Sequence, residues 1–347
     1  MSVKNHNDSP DQSSEKSSRQ DVLTEVGQLK DEIAQLKELV STNSMLIAKL
    51  VGDISSAANR ALISSYQQLV IDSCEYALVG VLSQSGATGV IEVESNSGSR
   101  LALKVFPLEA EEKVRRGVEV GNLARKHGVP VPGGMTVGKI GPVVYSLQDI
   151  VFGTTSSCVS LDEMKQLLGT IERSRDIYLG PANFTESLIE ALSEGNSDIW
   201  CDHRDIVLFG GRPKKLLDRL SGVANLLGGV SFRETDGVHW DASHRNALFE
   251  NGKLSAVVDW EAAIWGDNRY DLVNLEFWSH VHRGNEVSTE ACEYVSSVLS
   301  QVVSTDELAG LSALVGLHHL NFTVRNRPDL IETYISNAER YLLSRLA

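Results

Sequence analysis

The sequence is poor in cysteine and has no long apolar run. Its four cysteines, Cys74, Cys158, Cys201 and Cys292, lie far apart and form no Cys-x-x-Cys pair. This spacing argues against a structural zinc site and is typical of a protein in a reducing cytoplasm. No apolar stretch reaches the length of about 20 residues that a membrane-spanning helix requires. The polar, serine-rich residues 1–20 do not resemble a secretory signal, so we expect a cytoplasmic protein with no membrane partner.

Basic residues are also scarce relative to acidic ones. The chain has 32 Lys and Arg against 46 Asp and Glu, a formal net charge of −14. Such an excess of negative charge disfavours nucleic acid as a partner. It is compatible with a cationic small molecule, and equally with a charge that only keeps the protein in solution. The 347 residues are enough for two domains or for one two-lobed unit with an ample core.

The N-terminal region carries a seven-residue apolar repeat. Residues 1–20 lack apolar content and are expected to form a disordered tail. The repeat places Val26, Ile33, Val40 and Ile47 at position a, Leu29, Leu36, Asn43 and Leu50 at d, Glu25 and Glu32 at g, and Lys30 and Lys37 at e. β-Branched residues at a with Leu at d favour a parallel two-stranded coil. We predict a coiled-coil helix over residues 21–62 and a parallel homodimer through residues 22–57. An amphipathic helix lying on its own globular domain is the alternative.

After residue 75 the pattern predicts a small antiparallel sheet with one helix, followed by a mainly helical region. The predicted elements are strands at 75–83, 90–94 and 100–106, a helix at 108–127, two short strands flanking Gly141-Pro142, helices at 161–173, 185–194 and 213–227, a hairpin joining 247–249 to 254–258, and a helical tail at 288–347. We divide them into a nucleotide-binding N-lobe at 75–150 and a C-lobe for catalysis and substrate binding at 151–347. A cleft between two such lobes is a natural ligand site.

The residues with the clearest chemistry lie around that hairpin. Asp241 is followed five residues later by Asn246, and Asp259 ends the apolar strand after the hairpin. Phosphoryl transfer needs such a set, because one carboxylate orients a hydroxyl while two oxygen ligands hold Mg²⁺ on a nucleotide. The alternative is that Asp241 and Asn246 cap a loop and that Asp259 is a turn residue.

A lysine within the third predicted strand points to the same chemistry. Lys104 lies in an apolar strand, where a charged amine requires a partner. A phosphate and a carboxylate are suitable partners, and Glu119 on the next helix is the best carboxylate candidate. Gly86 and Gly89 lie between the first two predicted strands, where backbone N–H groups could cover phosphates. An edge-strand lysine facing solvent and an ordinary hairpin loop are the alternatives.

Together these residues resemble the aminoglycoside phosphotransferase and choline kinase family, a branch of the protein-kinase-like fold. Members carry a His-Gly-Asp-x-x-x-x-Asn stretch, a strand ending in an aspartate, often as Asp-Trp-Glu, and a Gly-Asp-x-x-x-Asp-Leu run. The matching residues here are His239, Asp241 and Asn246, then Asp259-Trp260-Glu261, then Gly266, Asp267, Asp271 and Leu272. The resemblance covers about residue 75 to the C-terminus. It implies an α+β fold of two lobes, a small antiparallel-sheet N-lobe and a mainly helical C-lobe.

The resemblance also implies a set of site residues. These are Asp241 and His239 for catalysis, Asn246 and Asp259 for Mg²⁺, and Lys104, Glu119, Gly86, Gly89, Gln148, Asp149 and Ile150 for the nucleotide. Two departures stand out, because Trp240 replaces the usual glycine and Ser243-His244-Arg245 replaces the common His-Pro-Gly. We therefore expect an active enzyme whose loop backbone and acceptor pocket differ from those of its relatives.

The sequence thus favours a small-molecule kinase. It would transfer the γ-phosphate of ATP (or GTP), with Mg²⁺, to a hydroxyl of a small acceptor such as an aminoglycoside or another antibiotic. Acidic residues between Glu172 and Asp205 would suit an amine-bearing acceptor. One alternative is a metabolic kinase for choline, a sugar or an amino-alcohol. The other is a non-catalytic, kinase-like scaffold that binds nucleotide and dimerises through its coiled coil.

Overall fold

The structure is a computed structural model that describes residues 68–71, 74–83, 89–140, 143–178, 180 and 183–345. The predicted tail at 1–20 and the predicted coiled-coil helix at 21–62 lie outside these ranges. So does Gly86 of the candidate phosphate loop. The other predicted site residues are all described.

A six-stranded antiparallel sheet forms the first part of the fold. Its strands are β1 (Gln68–Ile71), β2 (Cys74–Ser83), β3 (Val90–Ser95), β4 (Arg100–Pro107), β5 (Thr136–Ile140) and β6 (Val143–Asp149). They lie in the order β1-β2-β3-β4-β6-β5. Ile91, Leu103 and Leu147 are register neighbours on one face of the sheet and form part of its own small core. The predicted strands are all present, and β1 is an additional strand.

Helix α1 (Glu111–Lys126) follows β4 after a single turn of 3₁₀-helix. It ends where Gly128 adopts a left-handed φ of 85°, a conformation that glycine enters without steric cost. Val118 and Ala124 on its inner face belong to the main core of the helical lobe, not to the small core of the sheet. Gly117 on the same helix packs directly on the backbone of Trp260 and Glu261. This close approach seats α1 on the segment that follows Asp259.

Helices dominate the rest of the chain. They are α2 (Leu161–Arg173), α3 (Phe184–Ser193), α4 (Arg204–Phe209), α5 (Gly211–Ser221), α6 (Arg269–Val281), α7 (Thr289–Val302), α8 (Thr305–Asn326) and α9 (Ile331–Tyr341). The α+β class is therefore confirmed. None of the helices in the described ranges is long and apolar enough to cross a membrane.

Three helical segments differ from the prediction. The helix expected at 213–227 begins two residues earlier, with Pro213 in its first turn where no N–H is needed, and continues after Ser221 only as 3₁₀-helix. Helix α6 was not predicted, because almost every one of its residues is buried and no polar face marks its period. Helix α4 was also not predicted, since it is a short helix with three exposed apolar residues.

The chemical motifs lie on and between two short pairs of antiparallel strands. Strand β7 (Asp236–Val238) pairs with β10 (Ile264–Gly266), and β8 (Ala247–Glu250) pairs with β9 (Lys253–Val257). The turn between β8 and β9 has left-handed φ values of 53° at Asn251 and 74° at Gly252. Such a pair of positive φ angles is what a two-residue Asn-Gly turn requires. The predicted hairpin is thus present, with slightly shifted ends.

Backbone hydrogen bonds join the sheet region to this hairpin. Thr154, just after β6, exchanges two bonds with Phe249 of β8, at 3.0 and 2.8 Å between N and O. The Val257 N–H of β9 donates to the Pro130 carbonyl after α1, at 2.8 Å. The hairpin is therefore tied to the connection that follows β6 and to the segment between α1 and β5.

We expect Gly117→Ala to destabilise the protein. An added Cβ would lie 2.5 Å from the carbonyl oxygens of both Trp260 and Glu261, so the backbone would have to move. Overpacking of this kind costs about 1–3 kcal/mol, which exceeds the helix propensity gained with alanine. The measurement is the free energy of unfolding in urea. Gly222→Ala is the matched control, because nothing lies within 4 Å of its added Cβ. Equal stability of the two variants would contradict this packing.

Candidate active site

The loop after β7 carries the candidate catalytic carboxylate. Asn246 Nδ2 donates to the Asp241 carbonyl at 2.8 Å and to Asp241 Oδ2 at 3.0 Å. Burial raises the pKa of Asp241 to about 6, although the Asn246 hydrogen bond acts in the opposite direction. The carboxyl group is thus ionised at neutral pH yet basic enough to accept a proton. These properties suit a group that orients and deprotonates a hydroxyl.

The β8–β9 hairpin brings the second aspartate to this loop. Val258 donates its N–H to the Asn246 carbonyl at 2.9 Å, and Asp259 is the next residue. Asp259 has a left-handed φ of 69°, an unfavourable angle for a residue with a Cβ that is found most often at functional positions. Its side chain is 47% exposed, so the carboxylate is accessible from the cleft. Asp241, Asn246 and Asp259 therefore lie together, as the hairpin geometry predicted.

Lys104 of β4 reaches this cluster from the sheet. Its Nζ lies 2.6 Å from Asp259 Oδ1 and 2.9 Å from Glu261 Oε2. Burial would lower the pKa of Lys104, but the negative charges of Glu261 and Asp259 outweigh it and raise the pKa above its ordinary value. The amine therefore remains charged. The alternative of an edge-strand lysine facing solvent is wrong, because β4 is an inner strand and Lys104 is buried.

The predicted pairing of Lys104 with Glu119 is absent from the structure. Glu119 is exposed on α1, whereas the face of this helix that meets the Asp259 segment carries Gly117 and Gly121. Glu261 contacts Lys104 Nζ, where a carboxylate from the helix was expected. The sequence did contain Glu261, but nothing in the spacing of Asp259-Trp260-Glu261 indicates that it turns back toward β4.

His239 is buried and holds the Asp241 loop in place through hydrogen bonds. Its Nε2 lies 2.7 Å from the Val258 carbonyl, and its Nδ1 lies 3.3 Å from the Asp241 N–H. Burial lowers the pKa of His239. A neutral ring can donate from Nε2 and accept at Nδ1, which matches both contacts. The geometry makes His239 a positioning residue for Asp241 and corrects the catalytic role predicted for it.

Asp271 holds the start of the loop through backbone hydrogen bonds. Its two carboxylate oxygens accept the N–H groups of His239 at 2.7 Å and of Trp240 at 3.0 Å. Burial raises the pKa of Asp271 to about 7, against the effect of these two bonds. A buried carboxylate with both oxygens occupied fixes the direction in which the backbone enters the loop.

Trp240 and His244, one from each departure from the family pattern, are both buried. Trp240 has a left-handed φ of 75° and is fully buried, with its ring stacked on Tyr270 at 4.2 Å between centroids. His244 is buried beside Glu286, whose other oxygen lies 2.7 Å from the exposed Arg245. The side chains of Trp240 and His244 face the protein interior, so neither lines an acceptor pocket.

Three of the residues predicted to bind the nucleotide lie at the end of β6 and just after it. Gln148 and Asp149 are the last residues of β6, and Ile150 follows in the connection to the helical lobe. Gln148 is buried, and its side-chain Oε1 has no hydrogen-bond partner within the described residues. Gly89 directly precedes β3. The predicted linker residues thus stand at the junction of the two lobes.

The donor set fits Mg²⁺ better than a metal that needs a full protein cage. Within the described ranges no group of three or more His, Cys, Asp or Glu could hold a metal ion. Asn246 and Asp259 supply an amide and a carboxylate oxygen. Magnesium takes one or two carboxylates from the protein and the rest of its ligands from water and phosphate. The two residues are therefore a suitable pair for a metal that arrives with a nucleotide.

A family model and one curated protein each match a short part of this chain. The sequence model of the phosphotransferase enzyme family (APH) matches residues 234–290, which contain the loop, the hairpin and Asp271. Hygromycin-B 4-O-kinase of Escherichia coli is 44% identical over 41 residues, 12% of this chain and 12% of that kinase. The chain thus matches about an eighth of the length of this curated relative.

Solved structures extend the likeness to the whole fold. A thermostable mutant of aminoglycoside phosphotransferase APH(4)-Ia is 16% identical, with a TM-score of 0.57 over 77% of this chain and 95% of that one. An aminoglycoside-3′-phosphotransferase of type VIII is 18% identical, with a TM-score of 0.51 over 76% and 98%. The predicted resemblance is confirmed, and the described fold is the protein-kinase-like fold of aminoglycoside phosphotransferases.

We expect Trp240→Gly to destabilise the protein although it removes backbone strain. Relief of the left-handed φ is worth about 1–2 kcal/mol, and loss of a buried indole costs about 3–5 kcal/mol, so a net loss of about 1–4 kcal/mol should remain. Denaturant unfolding measures it. Asn251→Gly is the control, because it relaxes a left-handed residue in an exposed turn and should not lower stability. A Trp240→Gly variant as stable as wild type would show that the indole contributes little.

Proposed function

We propose that this protein is a small-molecule kinase that transfers the γ-phosphate of ATP (or GTP) to a hydroxyl group. The observation that carries the proposal is the convergence of Lys104, Asp259 and the Asp241–Asn246 pair at one cleft. The first comes from the sheet and the others from the helical lobe. Phosphoryl transfer depends on positioning and on charge neutralisation, and this set supplies both.

Each residue then has a definite task. Asp241 accepts the proton of the acceptor hydroxyl, since its raised pKa makes it a better base than an exposed aspartate. Asn246 donates from Nδ2 to Asp241, so its amide oxygen is the end left for a cation. Asn246 and Asp259 would hold Mg²⁺, which neutralises charge on the β- and γ-phosphates when it is bound. Lys104 neutralises the α- and β-phosphates, and Gly89, Gln148, Asp149 and Ile150 line the nucleotide side.

The acceptor is proposed to be a small, amine-bearing compound with a free hydroxyl, such as an aminoglycoside. Two findings support this class: the formal net charge of −14 and the local identity to a hygromycin-B kinase. A structural relative was solved in a ternary complex with ADP and hygromycin B. Choline, sugars and amino-alcohols would leave the site chemistry unchanged and alter only the pocket. The free thiols of Cys158, Cys201 and Cys292 suit a cytoplasmic enzyme.

The test is nucleotide turnover with Mg²⁺, screened over aminoglycosides including hygromycin B, other hydroxyl-bearing antibiotics, choline and sugars, with ATP and GTP in parallel. Wild type should phosphorylate at least one acceptor. Because protonated Asp241 cannot accept a proton, kcat/KM should fall as the pH drops below about 6. Asp241→Asn should reduce kcat by about a hundredfold or more and remove this pH limb.

Two outcomes would change the assignment. Tight Mg·ATP binding without turnover over the whole panel would favour the non-catalytic scaffold. Unchanged turnover in Asp241→Asn would show that another group serves as the base. Asp162→Asn on α2 is a suitable control for Asp241→Asn, since Asp162 is an exposed first-turn residue.

We also propose that residues 22–57 pair with a second copy of the chain as a parallel coiled coil. The support is the heptad pattern with β-branched residues at a and matching charges at g and e. Deletion of residues 1–55 should convert a dimer to a monomer in sedimentation analysis, while the fold that begins at β1 remains. An unchanged mass per particle would refute this pairing.

A further inference from the structure

We propose that Glu261, and not a carboxylate of helix α1, is the residue that positions Lys104 for the nucleotide phosphates. This inference rests on the proposed kinase function and adds a residue to it. In protein kinases a lysine of the sheet is held by a glutamate of the neighbouring helix. Here the holding carboxylate comes instead from the turn that also carries the candidate metal ligand Asp259.

Burial separates the tasks of the two carboxylates that contact Lys104. The side chain of Asp259 is 47% exposed, whereas that of Glu261 is 6% and that of Lys104 is 7% exposed. Of the two carboxylates, only that of Asp259 is therefore accessible to a metal ion. Glu261 is enclosed with the amine, so it remains as the partner that holds Lys104 when Asp259 turns to another ligand.

The second oxygen of Glu261 is also engaged. Ser146 Oγ donates to Glu261 Oε1 at 2.7 Å, while Glu261 Oε2 contacts Lys104 Nζ at 2.9 Å. Ser146 is the register partner of Lys104 across β4 and β6, so both side chains lie on the same face of the sheet. Both oxygens of the Glu261 carboxylate therefore accept a hydrogen bond. A buried charge is tolerated when hydrogen-bond partners and an opposite charge accompany it in this way, because an unpaired buried charge is strongly unfavourable.

Helix α1 cannot easily supply the usual carboxylate. Gly117 and Gly121 face the Trp260–Glu261 turn, and a Cβ at Gly117 would lie 2.5 Å from the Glu261 carbonyl oxygen. Glu119 lies between these glycines in sequence and so about half a turn away around the helix. To reach Lys104 it would need a rotation of α1 that pulls Val118 and Ala124 out of the main core.

The arrangement couples the lysine to the metal ligand. Asp259 and Glu261 stand two residues apart around one short 3₁₀ turn. The carboxylate that holds the amine and the one proposed for Mg²⁺ therefore move together. The position of Lys104 relative to the metal then depends on this turn and on β4, not on the orientation of α1.

The test compares four forms of the full chain: wild type, Glu261→Gln, Ser146→Ala and Glu119→Gln. ATP turnover is measured with whichever acceptor the screen identifies, and Mg·AMP-PNP binding is measured by calorimetry. Glu261→Gln should lower kcat by about a hundredfold through misplacement of the amine, with a smaller change in nucleotide affinity. Ser146→Ala keeps every charge and should lower kcat by a smaller factor. Glu119→Gln should match wild type, since Glu119 is exposed and outside the site.

A readout independent of turnover keeps this inference separate from the kinase proposal. Acetylation of Lys104 by acetic anhydride is followed by mass spectrometry between pH 7 and 10, relative to the exposed Lys253 of the same chain. Loss of the Glu261–Lys104 ion pair should release the enclosed amine and increase its relative labelling, whereas Glu119→Gln should leave the labelling unchanged. This measurement needs no acceptor and no active enzyme.

The outcomes are distinct. If wild type shows no turnover but Lys104 labelling rises only in Glu261→Gln, the kinase proposal fails while the pairing stands. If wild type is active and Glu261→Gln keeps its kcat and its labelling, the role of Glu261 is refuted. Equal losses in Glu119→Gln would overturn it as well, because they would show that α1 rotates to supply the carboxylate. Thermal unfolding of each variant identifies any that has lost its fold.

Discussion

The buried ion pairs of Lys104 are the interaction on which the site depends. A charged amine inside a sheet is unfavourable unless anionic groups surround it, and among the described residues only the segment after β9 brings such groups close enough. The pairs with Asp259 and Glu261 therefore join the sheet to the helical lobe at the place where the chemistry is proposed. The glycine-containing face of α1 also helps to join the two lobes here, because Gly117 lets the helix approach this segment closely.

A second constraint acts on the loop that carries Asp241. Asp271 accepts the two N–H groups at its start, His239 contacts the Val258 carbonyl, and Asn246 bonds directly to Asp241. The side chains of Asp271, His239 and Asn246 thus each bond to backbone groups of this loop or of the neighbouring hairpin. This allows a fully buried Trp240 to take a left-handed conformation where relatives have glycine. The stacking of Trp240 on Tyr270 offsets part of that strain.

Much of the fold was predictable because its signals are local. Helix α2 is amphipathic and its bounds agree with the prediction, and the Asn251-Gly252 turn is determined by two residues. Helix α6 was not predictable in the same way, since a helix buried on all sides has no polar face. The proximity of Asp241, Asn246 and Asp259 followed from one hairpin, whereas the misassignment of Glu119 came from assuming how α1 is rotated.

The sequence by itself determined the class of site: the types and spacing of Asp241, Asn246, Asp259 and Lys104 suffice to indicate phosphoryl transfer. These residues are close in the chain or lie in elements with clear periodicity, so local rules apply to them. Only the tertiary structure decided which carboxylate accompanies Lys104 and which way Trp240 and His239 face. The pairing of Lys104 depends on the packing of segments more than a hundred residues apart and on the rotation of a helix about its own axis. The orientations of Trp240 and His239 depend on contacts with Tyr270 and Val258. No local pattern records any of these.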